Sequence, residues 1–187
     1  MIDTIILIGP ICAGKSTVGK AISDRLGVPQ RPMDDLRFDY YREIGFNKKK
    51  QDKILENDGY KAMYKYWKPF EAHAVKRVLE DYPDHVHDFG AGHSVYEDEH
   101  LLKEVKAVLD RYKNVFLLLP SQNEQESISI LHERLKDVTA NNAVYELNEH
   151  FVKHKSNKLL AKHVIYTKGR SIKDIAEEII EVSTNDF

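Results

Sequence analysis

The chain has 187 residues, with 28 Lys plus Arg against 30 Asp plus Glu, so its formal net charge is −2. This balance excludes the basic field typical of proteins that bind nucleic acids or anionic membranes, and it favours small-molecule partners. The length suits a single α/β core, so we expect one domain over residues 1–187.

The first predicted element is the strand Ile5–Ile8, whose four apolar residues are typical of a central parallel strand covered on both faces. A glycine-bearing loop follows it and leads into a helical pattern that ends at Gly27. The glycines let successive backbone N–H groups point at an anion, and the helix N-terminus adds partial positive charge. We therefore predict a phosphate-binding P-loop formed by Gly9, Pro10, Ile11, Cys12, Ala13, Gly14, Lys15, Ser16 and Thr17.

Two side chains of this loop predict its chemistry. Lys15 can reach the terminal phosphates of a nucleotide as a positive charge, and the Ser16 hydroxyl can bind the Mg²⁺ that accompanies phosphates. We expect ATP and Mg²⁺ as cofactors and Lys15 as a catalytic residue.

The next predicted strand, Val28–Asp35, contains Pro29 and Pro32, which confine it to a short piece or to the edge of the sheet. It is expected to end at Asp34 and Asp35. Polar helical segments outside the sheet follow, and residues of about 36–68 are expected to form a mobile substrate cap.

Within that region we expect Asp58 to cap a helix and Pro69 to kink it or to begin a new one. Three further strands are predicted at Val86–Phe89, Val115–Leu119 and His163–Tyr166, separated by helices. This alternation predicts a three-layer α/β fold around a doubly wound parallel sheet of about five strands.

Ligands of such sheets bind beyond the carboxyl ends of the strands. The P-loop, Asp34, Asp88 and the loop Gly90-Ala91-Gly92 all lie at the carboxyl ends of predicted strands, so we expect them to converge on one site. There Asp34 would hold or deprotonate an acceptor hydroxyl, with Asp35 as the fallback, and Asp88 would join Ser16 in binding Mg²⁺. The alternative roles are a turn or helix-cap aspartate and a structural carboxylate.

The segment Gly-Pro-x-x-Ala-Gly-Lys-Ser-Thr-Val-Gly-Lys from Gly9, followed by Leu26-Gly27-Val28-Pro29, resembles the start of the shikimate kinases and related small-metabolite kinases of the P-loop superfamily. Trp67-Lys68-Pro69-Phe70-Glu71 and Gly90-Ala91-Gly92 resemble the acceptor-binding segment and the glycine loop of that family. The resemblance implies a P-loop kinase fold with a helical lid at about 136–156. It also implies ATP-dependent transfer of the γ-phosphoryl group to a hydroxyl of a small metabolite.

The same resemblance implies acceptor-binding roles for Asp34, Lys68, Gly90, Ala91 and Gly92. It further implies that Arg134 binds the nucleotide, by packing against adenine, and takes a catalytic part. Three positions depart from the family, with Pro32 in place of an aspartate, Lys68 in place of the shikimate-binding arginine and Ala91 in place of a glycine. Because lysine lacks the planar fork with which arginine grips a carboxylate, we expect the reaction type but not shikimate itself.

The lid also departs from the family, because residues 137–152 contain no Lys or Arg to offset charge on the transferring phosphoryl group. The remaining sources of a lid cation are Arg134, Lys136, Lys153 and Lys155. Two alternative functions stay open at this point. One is a nucleotide-binding regulatory module without kinase activity. The other is a nucleoside or nucleotide kinase, for which the aromatic residues that could stack on a base are Tyr40, Tyr41, Tyr60 and Trp67.

Histidine and cysteine content bear on metals and location. His85 and His87 would share one strand face with His93 nearby, but no cysteine or fourth ligand completes a zinc site. Cys12 is the only cysteine, so no internal disulfide can form, and the first apolar run is too short for a signal peptide or a membrane span. We expect a cytoplasmic protein.

Overall fold

The computed structural model describes residues 3–184. It contains one sheet of five parallel strands, arranged in the order β2-β3-β1-β4-β5. This confirms the predicted α/β class and the doubly wound parallel sheet. The strands are β1 Ile5–Ile8, β2 Gln30–Pro32, β3 Val86–Asp88, β4 Val115–Leu119 and β5 His163–Tyr166.

Helices cover both faces of this sheet. A 3₁₀ turn at Ala91–Ser94 adds to them after β3. The α-helices of the described residues are α1 Lys15–Leu26, α2 Met33–Glu43, α3 Lys48–Asp81, α4 Glu99–Leu109, α5 Glu124–Leu135, α6 Asn142–Lys153, α7 Lys155–Leu160 and α8 Ile172–Thr184. Within residues 3–184, no helix combines the length and the apolar character needed to cross a membrane.

Two hydrophobic cores form because alternate residues of each strand point to opposite faces. Ile6 and Ile8 of β1 face a core shared with α2, α3 and α4. Ile5 and Leu7 face a second core shared with α1, α5 and α8. All four side chains are buried, which explains why β1 has no polar residue.

The second strand is shorter than predicted. β2 contains only Gln30–Pro32 at the edge of the sheet, and Pro32 is already the N-cap of α2. Asp34 and Asp35 therefore lie in the first turn of a helix and not at the end of a strand. The partial positive charge of the helix N-terminus stabilises their negative charges.

The next helix is continuous with the helical segment before it, but it is divided where the sequence predicts a start. α3 begins after Asn47, whose side chain accepts a hydrogen bond from the Lys50 N–H. Its second part begins next to Asp58, the predicted cap. The helix is interrupted at Gly59, where φ is 78° and ψ is −177°. Pro69 lies inside the second part without a break, so the glycine and not the proline produces the kink.

The strand register brings the functional loops to one edge of the sheet. Leu7 pairs with Asp88, and Asp88 pairs with Pro32. The chain thus leaves β1, β2 and β3 at the same level, one or two residues before the P-loop, Asp34 and the glycine loop.

Candidate functional site

The loop between β1 and α1 has backbone angles that favour glycine. Gly9 has a φ of 137° and Gly14 a φ of 94°, which residues with a Cβ rarely adopt. At Gly9 there is also no room, because a Cβ would lie 2.5 Å from the carbonyl oxygen of Leu118 on β4. Gly14 then leads into α1, whose first N–H groups are free to bind an anion.

A buried amide on α6 holds this loop from the other side. The Asn148 side chain accepts a hydrogen bond from the Ile11 N–H at 2.7 Å and donates one to the Ile11 carbonyl oxygen at 3.2 Å. Asn148 is only 1% exposed, so water does not compete for these bonds. Sequence analysis missed this residue, since no motif marks an asparagine that pairs with a loop 137 positions away.

The P-loop borders a cavity of about 310 Å³. Six of the nine predicted phosphate-binding residues, both candidate carboxylates and the start of the glycine loop meet there. Its lining residues are Ile11, Cys12, Gly14, Lys15, Ser16, Thr17, Asp34, Asp88, Phe89, Gly90 and Ala91. Gly9, Pro10 and Ala13 are not part of the lining. The carbonyl oxygens of Gly9 and Pro10 each accept a hydrogen bond of 2.8 Å from Lys15 Nζ.

Lys15 is buried in this wall, at 8% exposure. Burial lowers the pKa of its ammonium group to about 8, although the negative charges of Asp34 and Asp88 act in the opposite direction. At pH 7 the Lys15 ammonium group is therefore mostly protonated, but its pKa of about 8 is close enough that a small rise in pH removes the proton.

Ser16 and Asp88 form the predicted metal pair. Asp88 accepts a hydrogen bond from the Gln30 amide at 2.9 Å and another from the Ser16 hydroxyl. Burial raises the pKa of Asp88, while these two bonds and Lys15 act to lower it. Hydroxyl and carboxylate oxygens are the hard ligands that Mg²⁺ prefers, so the donor set fits this ion.

Arg134 lies on the opposite side of the P-loop from Asp34. Its Nη1 donates a hydrogen bond of 3.0 Å to the Cys12 carbonyl oxygen. It lines a separate cavity of about 250 Å³ with Cys12, Ala13, Gly14, Val18, Thr167, Arg170, Ile172 and Ile175. This placement suits a group that packs against a nucleotide base, and it separates Arg134 from the cavity that contains Lys15. Sequence analysis missed Arg170, which follows the last strand as other site residues follow theirs.

A third cavity, of about 210 Å³, lies among residues of α2, α3, α6 and the glycine loop. It shares Ile11, Asp34, Gly90 and Ala91 with the P-loop cavity, so Asp34 lies where the two cavities meet. Trp67 and His93 also line it, as do Arg37, Tyr60, Tyr64, Glu71, Gly92, Leu147 and Phe151.

Arg37 is the residue of this cavity that sequence analysis missed. Its Nη1 lies 3.2 Å from Asp34 Oδ1, and its guanidinium lies 5.5 Å from the centre of the Trp67 ring. Its Nε is buried and has no hydrogen-bond partner among residues 3–184. The signal was the spacing of three residues after Asp34, which places both side chains on one face of a helix.

The predicted lid cations do not reach either cavity. Lys136, at the end of α5, pairs with Glu133 of that helix. Lys153 pairs with Glu149 within α6. Lys155 lines neither cavity. Among the described residues, Lys15 and Arg37 are the basic side chains that line these two cavities.

The surroundings of the loop Gly90-Ala91-Gly92 differ from one position to the next in the space they leave for a side chain. A Cβ at Gly90 would lie 2.8 Å from Asp34 Oδ1, and one at Gly92 would lie 2.3 Å from Glu71 Oε1. Ala91 carries its methyl group without such a clash and faces both cavities. A side chain at Gly90 or Gly92 would therefore have to displace Asp34 or Glu71, whereas Ala91 already has its methyl group.

Lys68, expected to bind the acceptor, instead lies behind the cavity wall. It is 5% exposed and forms a buried ion pair with Glu71. Its Nζ also donates hydrogen bonds to the Gly92 and Val95 carbonyl oxygens at 2.8 and 3.0 Å and lies 4.0 Å from the centre of the Tyr64 ring. Lys68 thus fixes the glycine loop to α3 and is not part of the cavity lining.

The family model described as shikimate kinase matches residues 11–184. The chain belongs to the shikimate kinase family. This confirms the resemblance inferred from the P-loop and its flanking residues, and membership in the family identifies a small-molecule kinase. No curated protein matches the chain.

Solved structures of this family and of a related kinase share the fold at low sequence identity. A shikimate kinase from Acinetobacter baumannii in complex with shikimate has a TM-score of 0.64 and 18% identity, covering 97% of this chain and 93% of that one. A shikimate kinase from Aquifex aeolicus has a TM-score of 0.57 and 20% identity, covering 96% and 94%. A gluconokinase from Sinorhizobium meliloti has a TM-score of 0.57 and 13% identity, covering 97% and 91%.

Titration of Lys15 leads to the first prediction. Because the Lys15 pKa is about 8 in the free protein and a bound triphosphate favours the ammonium form, ATP binding at pH 8.5 should take up roughly half a proton or more. Calorimetry in buffers of different ionisation enthalpy measures this uptake.

Lys15→Met should abolish the uptake, whereas Lys20→Met, which removes an exposed lysine of the same helix, should leave it unchanged. An uptake that survives in Lys15→Met would show that another group takes the proton.

The buried Lys68–Glu71 pair leads to the second prediction. Lys68→Met leaves the Glu71 carboxylate buried without its partner, so the free energy of unfolding at pH 7 should fall by about 3–5 kcal/mol. The loss should be smaller at pH 5, because burial raises the Glu71 pKa and protonation removes the uncompensated charge. Urea unfolding at both pH values measures the difference.

Two variants serve as controls for this stability test. Lys68→Met combined with Glu71→Gln should recover most of the loss, and Lys106→Met, which breaks an exposed pair with Asp110, should cost no more than about 1 kcal/mol. Equal losses in Lys68→Met and Lys106→Met would contradict the structural role of the buried pair.

Proposed function

We propose that this protein transfers the γ-phosphoryl group of ATP to a hydroxyl group of a small metabolite. The observation that carries the proposal is the position of Asp34, which lines both the P-loop cavity and the cavity beside α2 and α3. A carboxylate at this junction can hold an acceptor hydroxyl on one side while the nucleotide phosphates occupy the other.

The nucleotide half of the proposed site consists of the P-loop from Gly9 to Thr17, with Arg134 and Arg170 beside the cavity proposed for adenine. Lys15 neutralises charge on the terminal phosphates. Mg²⁺, held by Ser16 together with Asp88, offsets further phosphate charge when it is bound.

In the proposed reaction, Asp34 orients the acceptor hydroxyl and accepts its proton. The acceptor oxygen forms a bond to the γ-phosphorus, while the bond between that phosphorus and the β,γ-bridging oxygen breaks and ADP leaves. Arg37, which pairs with Asp34, places a positive charge in the acceptor cavity beside that carboxylate. Ala91 and the glycines beside it shape the acceptor wall.

We further propose that the acceptor is a hydroxylated organic acid. Arg37 supports this class, because its guanidinium lines the acceptor cavity and its buried Nε has no partner among the described residues, and arginine binds carboxylates with two parallel hydrogen bonds. Shikimate, which the Acinetobacter baumannii structure contains, is one member of this class. Because Lys68, which replaces the family's shikimate-binding arginine, is buried behind the cavity wall, we propose that Arg37 and not Lys68 binds the carboxylate of the acceptor.

Two further proposals concern organisation. We propose that residues 1–187 form a single kinase domain in which residues 36–68 act as a mobile substrate cap and residues 136–156 as a lid. These segments include most of α2, α3 as far as Lys68, and α6, which border the acceptor cavity through Arg37, Tyr60 and Leu147. We also propose a cytoplasmic location, which the absence of a second cysteine supports.

A phosphotransfer screen tests the proposed reaction. ATP and Mg²⁺ are combined with hydroxylated acids (shikimate and gluconate among them), neutral sugars, nucleosides and nucleotides, and ADP release is measured with each. We expect turnover with at least one hydroxy acid, reduced by ~10²-fold or more in Lys15→Ala. Turnover with nucleosides alone would favour a nucleoside kinase, and ATP binding without any transfer would favour a regulatory module.

Asp34→Asn should reduce kcat for the acceptor by ~10²-fold or more, because the amide cannot accept the hydroxyl proton, while the Kd for ATP changes little. The matched control is Asp35→Asn, since Asp35 lies in the same helical turn and lines neither cavity. Equal loss of turnover in the two variants would show that Asp34 has no special role.

Arg37→Gln should raise the KM for an acidic acceptor by about 10-fold or more and leave the KM for ATP nearly unchanged, because a charged hydrogen-bond donor is lost. Arg37→Lys should recover only part of this loss, since lysine lacks the planar fork. Arg42→Gln, on the exposed part of the same helix and paired with Asp39, is the control. An unchanged acceptor KM in Arg37→Gln would remove the argument for an organic acid.

A further inference from the structure

A cluster of metal-ligating side chains lies outside the proposed kinase site. Glu97 precedes α4, His150 lies in the last turn of α6, and His154 connects α6 to α7. Each offers one ligand atom, and these atoms lie within 4.8 Å of one another. Among residues 3–184 no other group of three His, Cys, Asp or Glu side chains meets this criterion.

The histidines that the sequence suggested for zinc, His85, His87 and His93, do not form such a group. The ring of His87 is hydrogen bonded through Nε2 to the Tyr82 carbonyl oxygen, and that of His93 through Nε2 to the Tyr41 hydroxyl. The group that the fold forms contains His150 and His154 instead.

Hydrogen bonds already hold two of the three ligands in place. His150 Nε2 lies 2.6 Å from Glu97 Oε1, and the Tyr64 hydroxyl donates to the same oxygen at 3.0 Å. The ring centres of His150 and His154 are 5.0 Å apart. A metal ion can replace the proton that His150 and Glu97 share, while Tyr64 continues to orient the carboxylate from outside.

We propose that Glu97, His150 and His154 bind one divalent transition-metal ion, with Zn²⁺ as the reference ion. Two imidazoles and one carboxylate are a donor set that Zn²⁺ accepts, with water in a fourth position. Glu97 and His150 line a cavity of about 340 Å³ between α3 and α6, which leaves space for that water. Because Mg²⁺ prefers oxygen ligands, this site is chemically distinct from the pair Ser16 and Asp88.

Binding has a structural cost at His154. Its Nδ1 accepts a hydrogen bond of 3.2 Å from the Ser156 N–H and so caps α7. Coordination through Nδ1 displaces this bond, and coordination through Nε2 places the ring proton on Nδ1, which then cannot accept. The bond is long for a hydrogen bond and α7 has only six residues, so the metal ion replaces a weak interaction.

The position of the site gives the ion a consequence for nucleotide binding. An ion bound there joins the end of α6 to the segment that leads into α4. Helix α6 also carries Asn148, which forms hydrogen bonds with Ile11 of the P-loop. Metal binding is thus expected to stabilise the position of α6 against the P-loop.

The test uses full-length protein without an affinity tag, freed of metal with a chelator that is then removed. Titration with Zn²⁺ against a chromophoric chelator should show one tight equivalent, and Co²⁺ should produce the visible absorption of a four- or five-coordinate site. Zn²⁺ at about 100 times its Kd should raise Tm by roughly 5 °C or more, and Mg²⁺ at the same concentration should not.

His150→Gln and His154→Gln should each weaken Zn²⁺ binding by ~10²-fold or more, and Tyr64→Phe by about 10-fold through loss of the bond that orients Glu97. The matched control is His100→Gln, which removes an exposed histidine that pairs with Glu104 on α4 and should bind Zn²⁺ like the unaltered protein. Circular dichroism without metal shows that each variant is folded.

Absence of a tight equivalent in the unaltered protein would overturn the proposal, as would equal affinities of the His154→Gln and His100→Gln variants. These outcomes concern metal binding alone, so they leave the proposed kinase reaction to its own assay.

Discussion

The site depends on the tight packing of the P-loop between a strand and a helix. Beneath it, β4 approaches Gly9 so closely that a Cβ would lie 2.5 Å from the Leu118 carbonyl oxygen. Above it, Asn148 satisfies both backbone groups of Ile11. Lys15 then bends back onto the carbonyl oxygens of the loop. A loop fixed on both sides is preorganised for phosphate, since little backbone order remains to be gained on binding.

The acceptor wall depends on a different interaction, the buried pair of Lys68 and Glu71. This pair draws in the carbonyl oxygen of Gly92 and leaves no room for a Cβ there. Because Lys68 pairs with Glu71 and with the glycine loop, the basic side chain that lines the cavity proposed for the acceptor is Arg37 on α2. The family's arginine is replaced by Lys68 in the sequence, and the positive charge in this cavity comes from a different helix.

Helix α6 contacts the P-loop, the cavity proposed for the acceptor and the separate cluster around Glu97. Asn148 contacts the P-loop, Leu147 lines the acceptor cavity, and His150 approaches Glu97. These residues lie within one turn of a helix that contains no Lys or Arg before Lys153. This segment has no basic residue before Lys153, and it contributes the Asn148 amide, the apolar Leu147 side chain and the His150 imidazole.

The sequence by itself determined the nucleotide half, because the P-loop is a continuous segment whose glycines, lysine and hydroxyl follow one another in the chain. Strand–helix alternation likewise predicted the parallel sheet and the convergence of Asp34, Asp88 and Gly90, since parallel strands end at a common edge. Only the tertiary structure decided which basic residue lines the cavity proposed for the acceptor, that Arg134 lies apart from Lys15, and that Glu97 meets His150 and His154. Those arrangements depend on contacts between distant segments and on side-chain burial, which local spacing does not encode.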